Sequence, residues 1–179
     1  MQGLRRALDA LYLAGGVAGA IAIVAIGALV LVQIIGRQAG FVLPGSDDLT
    51  AYAVAASATL PLAYTFRHAA HIRVDIVIGR FAGRSRHALE LVVLTIASAI
   101  ALLFAFSCLD TLIDSWTFGE VAQGMLAVPI WLPQIPLVIG SALFALALID
   151  DLVVAASGGQ PSYRRAIARS APERAAGEA

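Results

Sequence analysis

The chain has 179 residues, of which 60% are hydrophobic and only 13% are charged, and its mean hydropathy is +0.86. A soluble domain carries about a quarter charged residues, so this composition excludes a water-soluble globular protein. The formal net charge is zero, which excludes the basic surface typical of nucleic-acid-binding proteins. The single cysteine, Cys108, rules out an internal disulfide, and its apolar surroundings predict a buried, inert thiol.

Four apolar stretches are long enough to cross a bilayer, whose core of about 30 Å needs roughly 20 helical residues. They cover residues 10–36, 49–66, 91–109 and 129–149. The sequence therefore predicts an all-α integral membrane protein with four transmembrane helices. The first stretch is longer than the roughly 7–15 apolar residues of a signal peptide, so we expect it to be retained.

Arginine placement predicts the orientation of these spans, because arginine resists translocation and collects on the cytoplasmic side. Eleven of the twelve arginines precede the first span, lie between the second and third, or follow the fourth; the exception is Arg37. Both termini and the middle loop are therefore predicted to be cytoplasmic. Trp116 and Trp131 flank the last outer loop, as tryptophans at a membrane interface do.

The cytoplasmic loop between the second and third spans shows a helical pattern of its own. Four apolar residues follow the i, i+3, i+4, i+7 spacing of one helical face: Val74, Val77, Ile78 and Phe81. Arg73, Arg80 and Arg84 fall on a neighbouring face. The pattern predicts a short amphipathic helix lying in the inner interface. An irregular basic loop is the alternative, because two glycines weaken the helix.

Small residues and prolines indicate where helices approach one another or bend. The second span is rich in alanine, which lets helices pack closely in lipid, and Pro61 is expected to bend it near its inner end. Gly15 and Gly19 form a GxxxG pair in the first span; this is weak evidence for a contact face, because the motif is common by chance. Pro136 is expected to kink the fourth span.

After Ser157 the chain changes character, with Gly158, Gly159 and Pro161 followed by a region rich in alanine, arginine and glutamate. We therefore expect a four-helix membrane domain over residues 1–157 and a mobile cytoplasmic tail over residues 158–179. The arginines of the tail would lie near anionic lipid headgroups.

Candidate groups for chemistry are few. The four predicted span cores contain no Asp, Glu, His, Lys or Arg, although such residues usually mark an ion or substrate path. All three histidines lie in the inner loop, so no pair from different spans could hold a haem. Asp110 and Asp114 lie one turn apart and could bind a cation, but an exposed acidic helix end is the simpler interpretation. We expect no catalytic residue, no cofactor and no metal.

The pattern as a whole resembles the small permease (DctQ-like) subunit of tripartite ATP-independent periplasmic, or TRAP, transporters. Four features carry the resemblance: Arg37 at the end of the first span, the acidic pair Asp47 and Asp48, the segment His71-Ile72-Arg73-Val74-Asp75, and the residues Pro129, Trp131 and Pro136 at the start of the fourth span. The H-I-R-V-D segment is the most specific of them. The acidic pair departs from the family, which more often shows glutamate there.

The resemblance implies a scaffold in a transporter of three parts. Its partners would be a large permease subunit, a periplasmic substrate-binding protein and membrane lipids. The large subunit would move an organic acid across the bacterial inner membrane by sodium-driven symport. Arg73 and Asp75, with His71, would then be structural, and Asp47 and Asp48 would contact partner proteins on the outer side.

Two other classes of function compete with this interpretation. An independent four-helix channel or carrier would need polar or charged residues along its spans. A membrane enzyme or haem-binding anchor would need ligands or a nucleophile that the spans lack, and a visible-light spectrum of the purified protein would reveal a haem.

Overall fold

The structure is a computed structural model that describes residues 2–68 and 84–164. Five helices make up most of this part of the chain: α1 (Gln2–Gln38), α2 (Ser46–Thr59), α3 (Leu62–Arg67), α4 (Arg84–Thr117) and α5 (Trp131–Ala156). The described residues form no strand beyond an isolated bridge between Val121 and Pro129. The all-α fold class is confirmed.

Four helical stretches are long and apolar enough to span a membrane: Arg6–Gln38, Ser46–Arg67, Arg86–Thr117 and Trp131–Ala156. Each contains most or all of one predicted span, so the four-span architecture is confirmed. The first and third helices run well beyond the predicted limits, because a helix continues through charged residues once it leaves the apolar core. The predicted interfacial helix falls on residues 69–83 and lies outside the described residues.

Helix α5 is the centre of the arrangement. It packs most extensively against α4 and also contacts α2 and α3, while α1 packs mainly against α2 and α3. In an apolar stretch of 18 residues within α5, 44% of the residues are buried, compared with 17% in the corresponding stretch of α4 and 6% in that of α1. Large apolar surfaces of α1 and α4 are therefore left for lipid or for another protein to cover.

The second span is interrupted at Leu60 and Pro61, as its proline predicts. Proline has no N–H to donate and its ring clashes with the preceding helical turn. The amide of Leu60 closes the last turn of α2 on the Ala56 carbonyl at 3.1 Å, and the Pro61 carbonyl accepts from Thr65 at 2.9 Å in α3. Pro136 lies inside α5, and the helix continues through it.

Glycines of two helices meet at this interruption. A Cβ atom added at Gly15 would lie 2.7 Å from the Leu60 carbonyl oxygen, and one at Gly19 would lie 2.7 Å from Cδ of Pro61. On the other side, a Cβ at Gly140 would lie 2.5 Å from the carbonyl carbon of Thr59. Helices α1 and α5 thus approach the break closely because their contact residues have no side chain.

Helix α5 ends in a Schellman motif, in which amides beyond the helix bond back to its last carbonyls. Gly158 adopts φ 78°, its amide donates to Ala155 at 3.0 Å, and the amide of Gly159 donates to Val154 at 2.9 Å. The chain then turns back along the bundle through Arg164. The remaining tail lies outside the described residues, and its mobility stays a prediction.

Candidate functional sites at the two ends of the bundle

One polar cluster joins the start of α1 to the ends of α3 and α5. A guanidinium nitrogen of Arg67 lies 3.3 Å from an Asp9 carboxylate oxygen, and the other lies 3.6 Å from Asp150. The guanidinium carbon also lies 4.9 Å from the centre of the Tyr12 ring, a cation–π arrangement. One side chain from α3 therefore holds groups from both neighbouring helices.

A second cluster at the same end contains two carboxylates that are almost completely buried, Glu90 and Asp151, which are 2% and 1% exposed. Residues 162–164, where the chain turns back after α5, contact both carboxylates. The Ser162 amide donates to Asp151 at 3.0 Å and its hydroxyl donates at 2.7 Å. The Tyr163 hydroxyl donates to Glu90, and Arg164 lies 3.5 Å from the same carboxylate. Such pairing offsets the large cost of burying a carboxylate.

The Tyr163 hydroxyl stays protonated and can therefore donate its hydrogen bond to Glu90. Burial raises its pKa above the ordinary value, and the hydrogen bond to Glu90 and the charge of that carboxylate raise it further. Because the raised pKa keeps the phenol protonated, the contact to Glu90 is present at neutral pH and is lost only as the pH rises through this raised pKa.

The opposite end of the bundle is organised around the loop between α4 and α5. Asp48 accepts a hydrogen bond from the Leu126 amide at 3.2 Å, which ties the start of α2 to this loop. Ser115 donates to Glu120 at 3.1 Å and accepts from Gln134 at 3.1 Å. These bonds and the Val121–Pro129 bridge give the loop between α4 and α5 a defined shape.

The residues singled out in the sequence occupy different surroundings. Asp47 is exposed in the first turn of α2, whereas Asp48 is partly buried. Trp131 opens α5 with its ring centre 4.7 Å from that of Trp116. Pro129 lies in the bridge, and the Pro136 carbonyl accepts from Thr59 at 3.3 Å. Three others, His71, Arg73 and Asp75, lie outside the described residues.

Sequence reasoning missed Glu90, Asp151 and Tyr163. The two carboxylates lie one or two residues outside the predicted spans, where charged side chains normally face water. The sequence therefore gives no sign that they are buried. Their partners are in the segment predicted to be a mobile tail. A hydrogen-bonding residue 73 positions away from Glu90 leaves no local signal in a single sequence.

The arrangement at both ends can hold helices together, and its contacts are ion pairs and hydrogen bonds. Within residues 2–68 and 84–164, no group of three or more His, Cys, Asp or Glu side chains is placed to hold a metal ion. Cys108 is a buried free thiol, as the sequence predicts.

Comparison with known families agrees with this architecture. The family model for the DctQ component of tripartite ATP-independent periplasmic transporters matches residues 26–158, from the middle of α1 to the glycine that ends α5. Searches of curated proteins and of solved structures found no match. The family is a component of transporters and not a family of enzymes. Because the match covers about three quarters of the chain, this multi-pass membrane protein belongs to the DctQ family, the small permease component of TRAP transporters.

Proposed function

We propose that this protein holds the large permease subunit of a TRAP transporter in the bacterial inner membrane, with both of its own termini in the cytoplasm. The complex would take up an organic acid that a periplasmic binding protein delivers, driven by a sodium gradient. The family match supports the transporter assignment, and the skewed distribution of arginines supports the orientation.

The observation that carries the scaffolding role is the uncovered apolar face of α4. Ile96, Ile100 and Leu103 follow helical spacing along one face, and they are 54%, 62% and 68% exposed. The part of α1 around Ile21 and Val24 is similarly uncovered, with exposures of 63% and 71%. In a subunit whose partner also spans the bilayer, such faces can pack against a second set of helices.

Photo-crosslinking in the assembled complex tests this role. A benzoylphenylalanine at position 103 and, separately, at position 21 reports which face lies against the large subunit. We expect a crosslinked product with the mass of both subunits from at least one position. Position 144 is the control, because Phe144 packs inside the bundle. A complex that co-purifies but yields no product from either exposed position contradicts the proposal that these faces bind the partner.

The inner loop supplies a separate test of assembly. We propose that Arg73 and Asp75 anchor this loop to lipid headgroups or to the large subunit. Arg73→Ala is then expected to reduce the amount of large subunit that co-purifies with the tagged small subunit. Unchanged co-purification, with normal expression of both chains, would count against an anchoring role.

The two acidic residues at the start of α2 are expected to behave differently when changed. Asp47 is exposed, so Asp47→Lys should lower uptake through altered contact with the binding protein while assembly and stability are kept. Asp48→Ala removes the acceptor for the Leu126 amide and should lower the stability of the small subunit by about 1–2 kcal/mol. Uptake assays and thermal unfolding separate the two effects.

Asp48→Asn is the matched control, because its amide oxygen can still accept the Leu126 hydrogen bond. It should retain most of the stability that Asp48→Ala loses. Normal uptake by Asp47→Lys would remove this residue from the proposed docking surface.

A further inference from the structure

We propose that residues 158–164 form a strap that fixes α4 against α3 and α5, and that the strap thereby holds the end of α3 and the start of α4 in place relative to each other. The proposal concerns the architecture of this chain and does not depend on the identity of any partner subunit.

Tyr163 is the residue through which the strap reaches three helices. Its hydroxyl donates to Glu90 in the second turn of α4. Its ring centre lies 6.1 Å from that of Phe66 in α3. The same ring packs against the core cluster that contains Leu148 and Ala155 of α5. A single side chain from beyond the last span therefore bridges α3, α4 and α5.

The start of the strap is anchored independently. The reversal at Gly158 and Gly159 directs the chain back toward the bundle, and Pro161 is fully buried. Ser162 then bonds to Asp151 through both its amide and its hydroxyl. Because Asp151 lies one turn before the end of α5, these bonds fix the strap to α5 and set the position of the tyrosine that follows.

The strap matters most for α4. Among the described helices, α4 makes extensive contact with α5 alone, whereas α3 packs against both α1 and α5. The strap adds a polar contact from Glu90, in the second turn of α4, to the returning chain, and the Tyr163 ring extends this contact to Phe66 of α3. Phe66 precedes the 69–83 segment and Glu90 follows it, so the tyrosine contacts the chain on both sides of the H-I-R-V-D sequence. Glu90, Asp151 and Tyr163 are, on this proposal, positioning residues for the end of α3 and the start of α4.

Hydrogen exchange measured by mass spectrometry on the full-length protein in detergent micelles tests the strap, because exchange reports local opening separately from global unfolding. Tyr163→Ala should speed exchange at least tenfold in residues 84–94 and in residues 62–67. Residues 15–35 of α1 should exchange as in the unaltered protein, because the contacts of Tyr163 involve Phe66, Glu90 and the cluster around Leu148. Val153→Ala, at an exposed position on α5, is the control and should change neither region.

A milder substitution and two truncations distinguish loss of the strap from a general failure to fold. Tyr163→Phe removes only the hydroxyl and should speed exchange two- to tenfold in residues 84–94. A chain ending at Arg164 should match the full-length protein in residues 84–94, while a chain ending at Ser157 should speed exchange there at least as much as Tyr163→Ala, because it also removes the Ser162 bonds to Asp151. Unchanged exchange in residues 84–94 for Tyr163→Ala would overturn the proposal. So would an equal acceleration in α1, since that would indicate general destabilisation.

Discussion

Gly140→Ala is expected to destabilise the helix bundle by about 3 kcal/mol, toward the upper end of what overpacking costs in protein interiors. The added methyl carbon would lie 2.5 Å from the carbonyl carbon of Thr59 and 2.6 Å from its oxygen. Both are backbone atoms at the end of α2, so no side-chain rotation can relieve the clash. Helices α2 and α5 must separate, which also breaks the bond from Thr59 to the Pro136 carbonyl.

The control for this substitution is Gly27→Ala in α1. A Cβ atom there meets nothing within 4 Å, and alanine favours a helix over glycine by about 0.5–1 kcal/mol. The two glycine-to-alanine changes should therefore have opposite signs in thermal unfolding of the purified protein. Equal effects would show that the close approach at Gly140 is relieved at little cost.

The spans could be predicted from the sequence because lipid imposes a simple requirement on composition and length. The contacts between helices could be predicted only in part. The pair Gly15 and Gly19 indicated a close approach correctly, but the motif does not specify what approaches. Its partner is the interruption at Leu60 and Pro61, so the glycine pair of α1 and the proline of the second span form one packing site.

The directions of the acidic side chains Asp47 and Asp48 could not be predicted from the sequence. Adjacent helical residues point in directions about 100° apart, and the sequence does not say which of Asp47 and Asp48 is turned toward the rest of the bundle. Only the structure assigns the direction, with Asp48 toward the Leu126 amide. The polar contacts of the strap could not be predicted at all, because they join Glu90 and Asp151 to residues of the tail, which was expected to be mobile.

Arg67→Met is expected to lower the stability of the small subunit by about 2 kcal/mol. The change keeps an unbranched side chain of similar length but removes the charge that Asp9 and Asp150 share. The Arg67 side chain is only 17% exposed and that of Asp150 is 25% exposed. Loss of the partner of such a partly buried carboxylate should cost more than the roughly 0–1 kcal/mol of an exposed ion pair and less than the roughly 3–5 kcal/mol of a fully buried one.

A double-mutant cycle apportions this loss between the two carboxylates. Asp150→Asn should couple strongly to Arg67→Met, so that the double variant is less unstable than the sum of the single variants. Asp9→Asn should couple weakly, because the side chain of Asp9 is 61% exposed and exposed ion pairs contribute about 0–1 kcal/mol. Raising the salt concentration should weaken the Asp9 pair first, since solvent ions reach it more easily. If the Arg67 and Asp150 effects were additive, Arg67 would not hold α3 to α5 through this ion pair, and its packing over the Tyr12 ring would account for the loss.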